Sequence, residues 1–218
     1  LAYLSKKCRK ILDEAGLSDC MIVASNSLDE YTIQSLLNQG ACIDSFGVGE
    51  RLITSRSEPV FGAVYKLCAV EKDKEFIPKI KVSENEEKIT NPGLKRVYRV
   101  YDEEGKAIAD LIALADKKVD FSSPYRYVDP KKPWKNRFFE NCTVKELATQ
   151  IFKDGKLVYN VPGLNDVASY VRSQLGGEIW EEEQRFENPH THYVDMSPAM
   201  YELKMSMLHE CREISANI

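Results

Sequence analysis

The sequence predicts an α/β protein that passes into a β-rich region and ends in helices. Three observations carry this. Up to residue 58, short apolar runs alternate with stretches of helical spacing. From 59 to 160, strand-like runs separated by turn residues dominate. From 161 to 218, apolar residues again recur every three to four positions. The expected divisions are therefore 1–58, 59–160 and 161–218.

The first element is a helix. Leu1, Leu4, Cys8, Ile11, Leu12 and Ala15 fall on one face, and Gly16 supplies a left-handed stop. It opens at full amphipathic strength with no capping residue before it, so the sequence is expected to be a piece of a longer chain. Cys20 to Ser25, "CMIVAS", reads as a buried strand. A second helix follows, with Ser27 expected as its cap and Glu30 three residues on, as in a capping box. "ACIDSF" is a second strand. Strands that alternate with helices pair in parallel, and their ligands sit beyond the C-terminal strand ends. Two loops lie there, Ser25-Asn26-Ser27 and Ser45 to Glu50.

The second loop reads Gly47-Val48-Gly49-Glu50 between a strand and a helix start. Glycine lets the backbone turn sharply and approach a ligand closely, so successive N–H groups can face one anion. Arg51, Arg56 and Lys66 are candidates to add positive charge. Two readings stand at this point: a phosphate cradle, or a tight βα turn with no ligand. The third glycine and trailing acidic residue of a dinucleotide fingerprint are missing, which favours a lone phosphate over a dinucleotide.

Beyond residue 59, "PVFGAVYKLCAVE" and "PKIKVSE" read as strands, with Asn91-Pro92-Gly93 as a turn. "KRVYRVYD" alternates Val97, Arg99 and Tyr101 with Tyr98 and Val100, and "AIADLIALAD" follows as its neighbour in an antiparallel meander. Pro124 to Pro133 reads as a loop. Asp154-Gly155 is expected to make the two-residue type I′ turn of a hairpin. Leu164, Val167, Ala168, Val171, Leu175, Ile179 and Trp180 form a helical stripe that Gly176-Gly177 weakens. Glu181 to Glu183 reads as a solvated helix face, and Ser197-Pro198 starts the last helix.

Composition narrows the function. The net charge of −4 argues against nucleic acid as the main partner. Six cysteines lie scattered without a CxxC pair, as expected of free thiols in a reducing cytoplasm. No apolar run reaches the length of a membrane span. His190 and His192, in "NPHTHY", read as ordinary loop histidines, and His209 as a surface or packing residue. No residue stands out as catalytic or metal-ligating. The methionines from Met196 to Met207 read as core or interface.

"SNSLDEYTI", "DSFGVGERLITS", "FGAVYKL", "KVSENEEKITNPGLKRVYR", "ADLIALAD", "IFKDGKLVYNVPGL" and "VDMSPAMYELK" together resemble the C-terminal half of bacterial nicotinate phosphoribosyltransferase. The resemblance implies part of an irregular α/β barrel of the type II phosphoribosyltransferase kind, joined to a β-rich region and C-terminal helices. It implies nicotinate and phosphoribosyl pyrophosphate as substrates, ATP and Mg²⁺ as cofactors, and a homodimer. It implies that Gly47, Val48, Gly49, Glu50, Asn26 and Arg56 hold the substrate phosphate. Other members carry Thr where this sequence has Glu50, so Glu50 contributes its N–H or turns toward a metal or a ribose hydroxyl. The family's phosphorylated histidine, its nicotinate-contacting aromatic and its Asp-Ser-Gly-Asp carboxylates all belong upstream of Leu1, in an N-terminal half. The 218 residues alone are therefore expected to bind phosphate without catalysis. Two rivals remain: a nicotinamide- or quinolinate-using relative, and a non-catalytic interaction module.

Overall fold

The computed structural model describes every residue except 61, 86, 87, 122–124, 129–131, 133, 217 and 218. The chain forms two compact units, Leu1–Val64 and Tyr65–Ile218. Residues 161–218 do not form a unit of their own.

The first unit runs α1 (Ala2–Glu14), β1 (Val23–Ser25), α2 (Glu30–Asn38), β2 (Ser45–Gly47) and α3 (Glu50–Ile53). β1 and β2 pair in parallel, with Val23 opposite Ser45 and Ser25 opposite Gly47. Both strands are shorter than the apolar runs that announced them. At their start, the Asp44 carboxylate accepts the Ile22 N–H at 2.7 Å. Ala24 on β1 packs with Ala2, Leu28 and Leu36 in a small core, joined by Ile33, Ile43, Phe46 and Val48.

Two local expectations are corrected. α1 turns Ala2 and Ser5 inward, not the predicted stripe; Leu1, Leu4 and Ile11 are more than half exposed. Small residues let the helix approach closely, and the Ser5 hydroxyl reaches across to accept the Cys42 N–H at 3.0 Å. The cap of α2 is Asp29, whose carboxylate accepts the Thr32 N–H at 2.8 Å. Ser27 sits at φ +52, outside the extended region that an N-cap needs.

The second unit runs β3 (Ala69–Lys72), β4 (Glu75–Pro78), β5 (Lys95–Tyr101), β6 (Ala107–Leu114), β7 (Tyr125–Val128), β8 (Asn136–Phe139), β9 (Thr143–Glu146), β10 (Phe152–Lys153), β11 (Lys156–Leu157), α4 (Leu164–Ser173), β12 (Val194–Met196) and α5 (Pro198–Ala216). Its centre is a four-stranded sheet in the order β12-β6-β5-β9. β5 lies antiparallel to β6 and β9, while β12 joins β6 in parallel. Period-two patterning places Tyr98, Val100, Ala109 and Leu111 on one face, and the β7–β8 hairpin seals it with Tyr127 and Phe139. Val100 and Leu111 are fully buried, worth about 1.5–3 kcal/mol each.

Several elements moved. Among the described residues of "PVFGAVYKLCAVE", strand begins only at Ala69, and the partner strand Glu75–Pro78 ends at the first residue of "PKIKVSE", so that run is not a strand of its own. Part of the expected 124–133 loop is strand β7, while residues 124, 129–131 and 133 lie outside the described residues. The Asp154-Gly155 turn has φ of +50 and +72, as a type I′ turn requires. Helix α4 does not reach Trp180: it passes into a π-helical turn at Gln174–Glu178 that holds both glycines, and Ile179 is extended. Its stripe residues Leu164, Val167 and Val171 stay exposed. Glu181 to Glu183 therefore lie in a turn, not on a helix face. α5 starts where expected; Ser197 Oγ accepts the Met200 N–H at 3.3 Å, and Met200 is fully buried. No helix among the described residues is long and apolar enough to cross a membrane.

Candidate functional site

Parallel pairing of two short strands brings their following loops side by side. Beyond Ser25 and Gly47 the loops enclose a cavity of about 310 Å³. Asn26, Gly47, Gly49, Glu50 and Arg56 all line it, as do Ser25, Ser27, Leu28 and Arg51. Of the residues expected at the phosphate, only Val48 is placed differently, with its side chain packed against the core of the first unit.

The loops are held by specific contacts. The Ser25 hydroxyl donates to the Gly47 carbonyl at 3.1 Å. A Cβ on Gly47 would stand 3.1 Å from Ser25 Oγ and 3.3 Å from its Cβ, so a side chain there would have to push Ser25 aside by a few tenths of an ångström. Asn26 and Ser27 take φ of +97 and +52. Two consecutive non-glycine residues in that region store strain, and strain of this kind collects at binding sites. Gly49 differs from Gly47: a Cβ there would meet no atom within 4 Å, so it faces open space.

The cations differ. Arg51 is ion-paired with Asp29, which also caps α2, so its charge is compensated. Hydrogen bonds from Thr32, followed by the Arg51 charge and hydrogen bond, hold the Asp29 carboxyl below its ordinary range. Glu30, bonded by the Ser57 hydroxyl, is likewise lowered. Arg56 has no side-chain hydrogen bond or ion pair among the described residues, leaving its guanidinium donors for a ligand. Glu50 adds a carboxylate to the wall. Lys66, the third candidate cation, belongs to the second unit and donates to the Lys88 carbonyl at 2.8 Å. No cluster of three His, Cys, Asp or Glu able to hold a metal occurs among the described residues.

A second polar cluster was not expected. Arg99 grips Asp110 with two bonds, Nε to Oδ1 at 2.8 Å and Nη2 to Oδ2 at 2.9 Å. His192 stands between acids, Nδ1 3.0 Å from Glu183 and Nε2 3.4 Å from Asp110. It is not an ordinary exposed loop histidine, and Glu183 is not a solvated residue. Burial pushes the Asp110 carboxyl up, but Arg99 and then His192 outweigh it and leave it below the ordinary range. The readable signal was Asp110 itself, a lone carboxylate inside an apolar strand, which demands a partner. Nearby, the Tyr101 hydroxyl donates to Glu178 at 2.8 Å; burial and that carboxylate push it up to about 12.

Residues 94–204, half of the chain, match the family model described as the nicotinate phosphoribosyltransferase C-terminal domain. The chain belongs to this family. It is 43% identical to the Bacillus subtilis nicotinate phosphoribosyltransferase over 97% of its own length and 43% of that protein. It is 32% identical to the Caenorhabditis elegans nicotinate phosphoribosyltransferase over 93% of this chain and 37% of that one. The crystal structure of the human nicotinic acid phosphoribosyltransferase superposes with a TM-score of 0.69 at 22% identity, covering 95% of this chain and 38% of that one. The mixed α/β fold is thus shared, and the chain spans less than half the length of these relatives.

Proposed function

We propose that this chain is the phosphate-holding portion of a nicotinate phosphoribosyltransferase. The proposed reaction, in NAD biosynthesis, makes nicotinate mononucleotide and pyrophosphate from nicotinate and phosphoribosyl pyrophosphate, coupled to ATP hydrolysis. The single observation that supports the role most is the convergence of both strand-end loops on one cavity that Arg56 faces with its charge uncompensated.

In that reaction the pyridine nitrogen bonds to the ribosyl C1 as the C1–O bond to pyrophosphate breaks, and pyrophosphate leaves with the electron pair. Positive charge develops on the ribosyl centre. Here the chain's task is positional. Arg56 pairs with the 5′-phosphate, backbone N–H groups near Gly49 and Glu50 turn toward it, and the Asn26 amide adds a donor. Holding the far end of the substrate fixes C1 in line for attack. Glu50 opposes an anion unless its carboxylate turns to a ribose hydroxyl, which is the role assigned to it. The catalytic groups are assigned to the remaining length of a full-size member, and the use of ATP and Mg²⁺ and a homodimer are carried over from the family as part of this proposal. The exposed face of α1, with Leu1, Leu4 and Ile11, suits coverage by such a neighbour.

The test is titration of the 218-residue chain with ribose 5-phosphate by calorimetry. Saturable binding that is lost in Arg56→Ala supports the reading. No binding, or turnover of phosphoribosyl pyrophosphate by the chain alone, contradicts it.

A further inference from the structure

The second unit contains a cavity of about 480 Å³ that the proposed reaction does not use. Its apolar wall is Ala107 and Ile108 of β6. Arg137 of β8 lies on one side. Trp180 and Glu182, from the turn after the π-helical segment, and Tyr193, before β12, complete it. Four separate stretches of sequence converge, so the pocket is a product of the sheet and not of one loop.

The loops that carry its walls are fixed from beneath. His192 contacts Asp110 on β6 and Glu183 in the turn, the His190 N–H donates to the Glu182 carbonyl at 2.9 Å, and the His190 ring meets Tyr193 edge-on at 5.2 Å. The Asp110 N–H also donates to the Tyr193 carbonyl at 2.8 Å.

The chemistry of the walls is specific. The Arg137 guanidinium stacks on the Tyr193 ring, 3.4 Å from its centroid. Its hydrogen bonding among the described residues is one long contact, 3.4 Å to the Ile108 carbonyl. A stacked, planar cation with open donors takes an anion in its plane and an aromatic ring on its face. Trp180 offers a second aromatic surface. The two acids do not cancel this cation. Glu183 is engaged by His192, and Glu182 is 3.4 Å from Arg185 yet half exposed, with an oxygen free to accept from hydroxyls.

We propose that this pocket binds a nucleoside monophosphate: its base stacks on Trp180, its ribose hydroxyls donate to Glu182, and its phosphate is held by Arg137. An aromatic surface, a carboxylate and an unpaired arginine are the three complements such a ligand requires, and the cavity is large enough for it.

Trp180 reports on the site directly. The chain has two tryptophans, so Trp134→Phe, at a 75% exposed position, leaves Trp180 as the sole indole. Adenosine 5′-monophosphate is titrated into this variant while tryptophan emission is followed. Saturable quenching is expected. Adenosine and inorganic phosphate, each lacking one complement, are expected to bind at least about tenfold more weakly, and Arg137→Met to weaken the nucleotide by about tenfold. Adding Arg56→Ala is expected to leave the quenching intact, which separates this site from the phosphate cavity of the first unit. A melting temperature for Arg137→Met close to that of its parent shows that the fold survives. No saturable change up to roughly 5 mM nucleotide overturns the proposal. So does quenching that Arg137→Met leaves unchanged, or that phosphate alone reproduces at equal affinity.

Discussion

The Ser25 hydroxyl donates to the Gly47 carbonyl across 3.1 Å, and these two residues also face each other in the parallel ladder. This contact joins the two strand-end loops and occupies the space a side chain at 47 would need. Gly47→Ala pushes a methyl group against Ser25 Oγ and Cβ. Overpacking of this kind costs about 1–3 kcal/mol, and separation of the loops is expected to weaken ribose 5-phosphate binding by about tenfold. In a Ser25→Gly background both clashing atoms are gone, so Gly47→Ala should cost much less. Calorimetry on the two single variants and the double variant measures the coupling. Additive losses would show that the contact does not set the loop geometry.

Arg56 lines the same cavity with no ion-pair partner among the described residues. Arg56→Ala should reduce ribose 5-phosphate affinity by about tenfold or more and leave stability unchanged, because the side chain is exposed and unpaired among the described residues. Arg56→Lys keeps the charge but loses the planar fork and should fall between. Affinity of the parent should drop with added salt more steeply than that of Arg56→Ala. A melting temperature lowered as much as the affinity would instead mark Arg56 as structural.

The parallel strands, the loop positions and the meeting of Asn26, Gly47, Gly49, Glu50 and Arg56 around one cavity were legible, because strand–loop–helix order and glycine placement are local signals. What failed was non-local. Ser27 and Glu30 match a capping box in spacing, but only the fold shows that Leu28 must point into the core. With Leu28 buried, Ser27 stands at positive φ and the cap falls to Asp29. Similarly, Leu4 and Ile11 satisfy helical periodicity, while the side actually buried on α1 is set by the close approach that Ala2 and Ser5 permit. His192 was unreadable because its partners, Asp110 and Glu183, come from β6 and from a turn that sequence spacing assigned to a helix.

Asn26 trades stability for position. At φ +97 an L-residue is strained by about 1–3 kcal/mol, and glycine there is free of that strain. Asn26→Gly should raise the stability of the first unit by about 1 kcal/mol after the entropy glycine loses on folding. It should also remove the amide from the cavity and weaken ribose 5-phosphate binding. Denaturant unfolding and calorimetry on the same sample test both signs. A gain in stability with unchanged affinity would exclude the amide from phosphate contact.

The Arg99–Asp110–His192–Glu183 cluster makes the second unit sensitive to acid. Asp110 is held below the ordinary carboxylate range in the folded chain, so folding favours its ionised form. The stabilisation is complete above the unfolded carboxyl's titration range and is lost as pH falls through the folded value. Arg99 stays charged, its own proton held more tightly by Asp110; His192 and Glu183 face the pair from the segment before β12 and from the turn. Asp110→Asn leaves the Arg99 guanidinium without its carboxylate at a site where the Asp110 side chain is only 10% exposed, while His192 keeps its contact with Glu183. The expected cost is about 3 kcal/mol near neutral pH. Urea midpoints measured from roughly pH 3 to 7 should fall toward acid for the parent and fall less for Asp110→Asn, so that the two converge at low pH. A constant gap across that range would mean that Asp110 packs against Arg99 without its charge contributing to the fold.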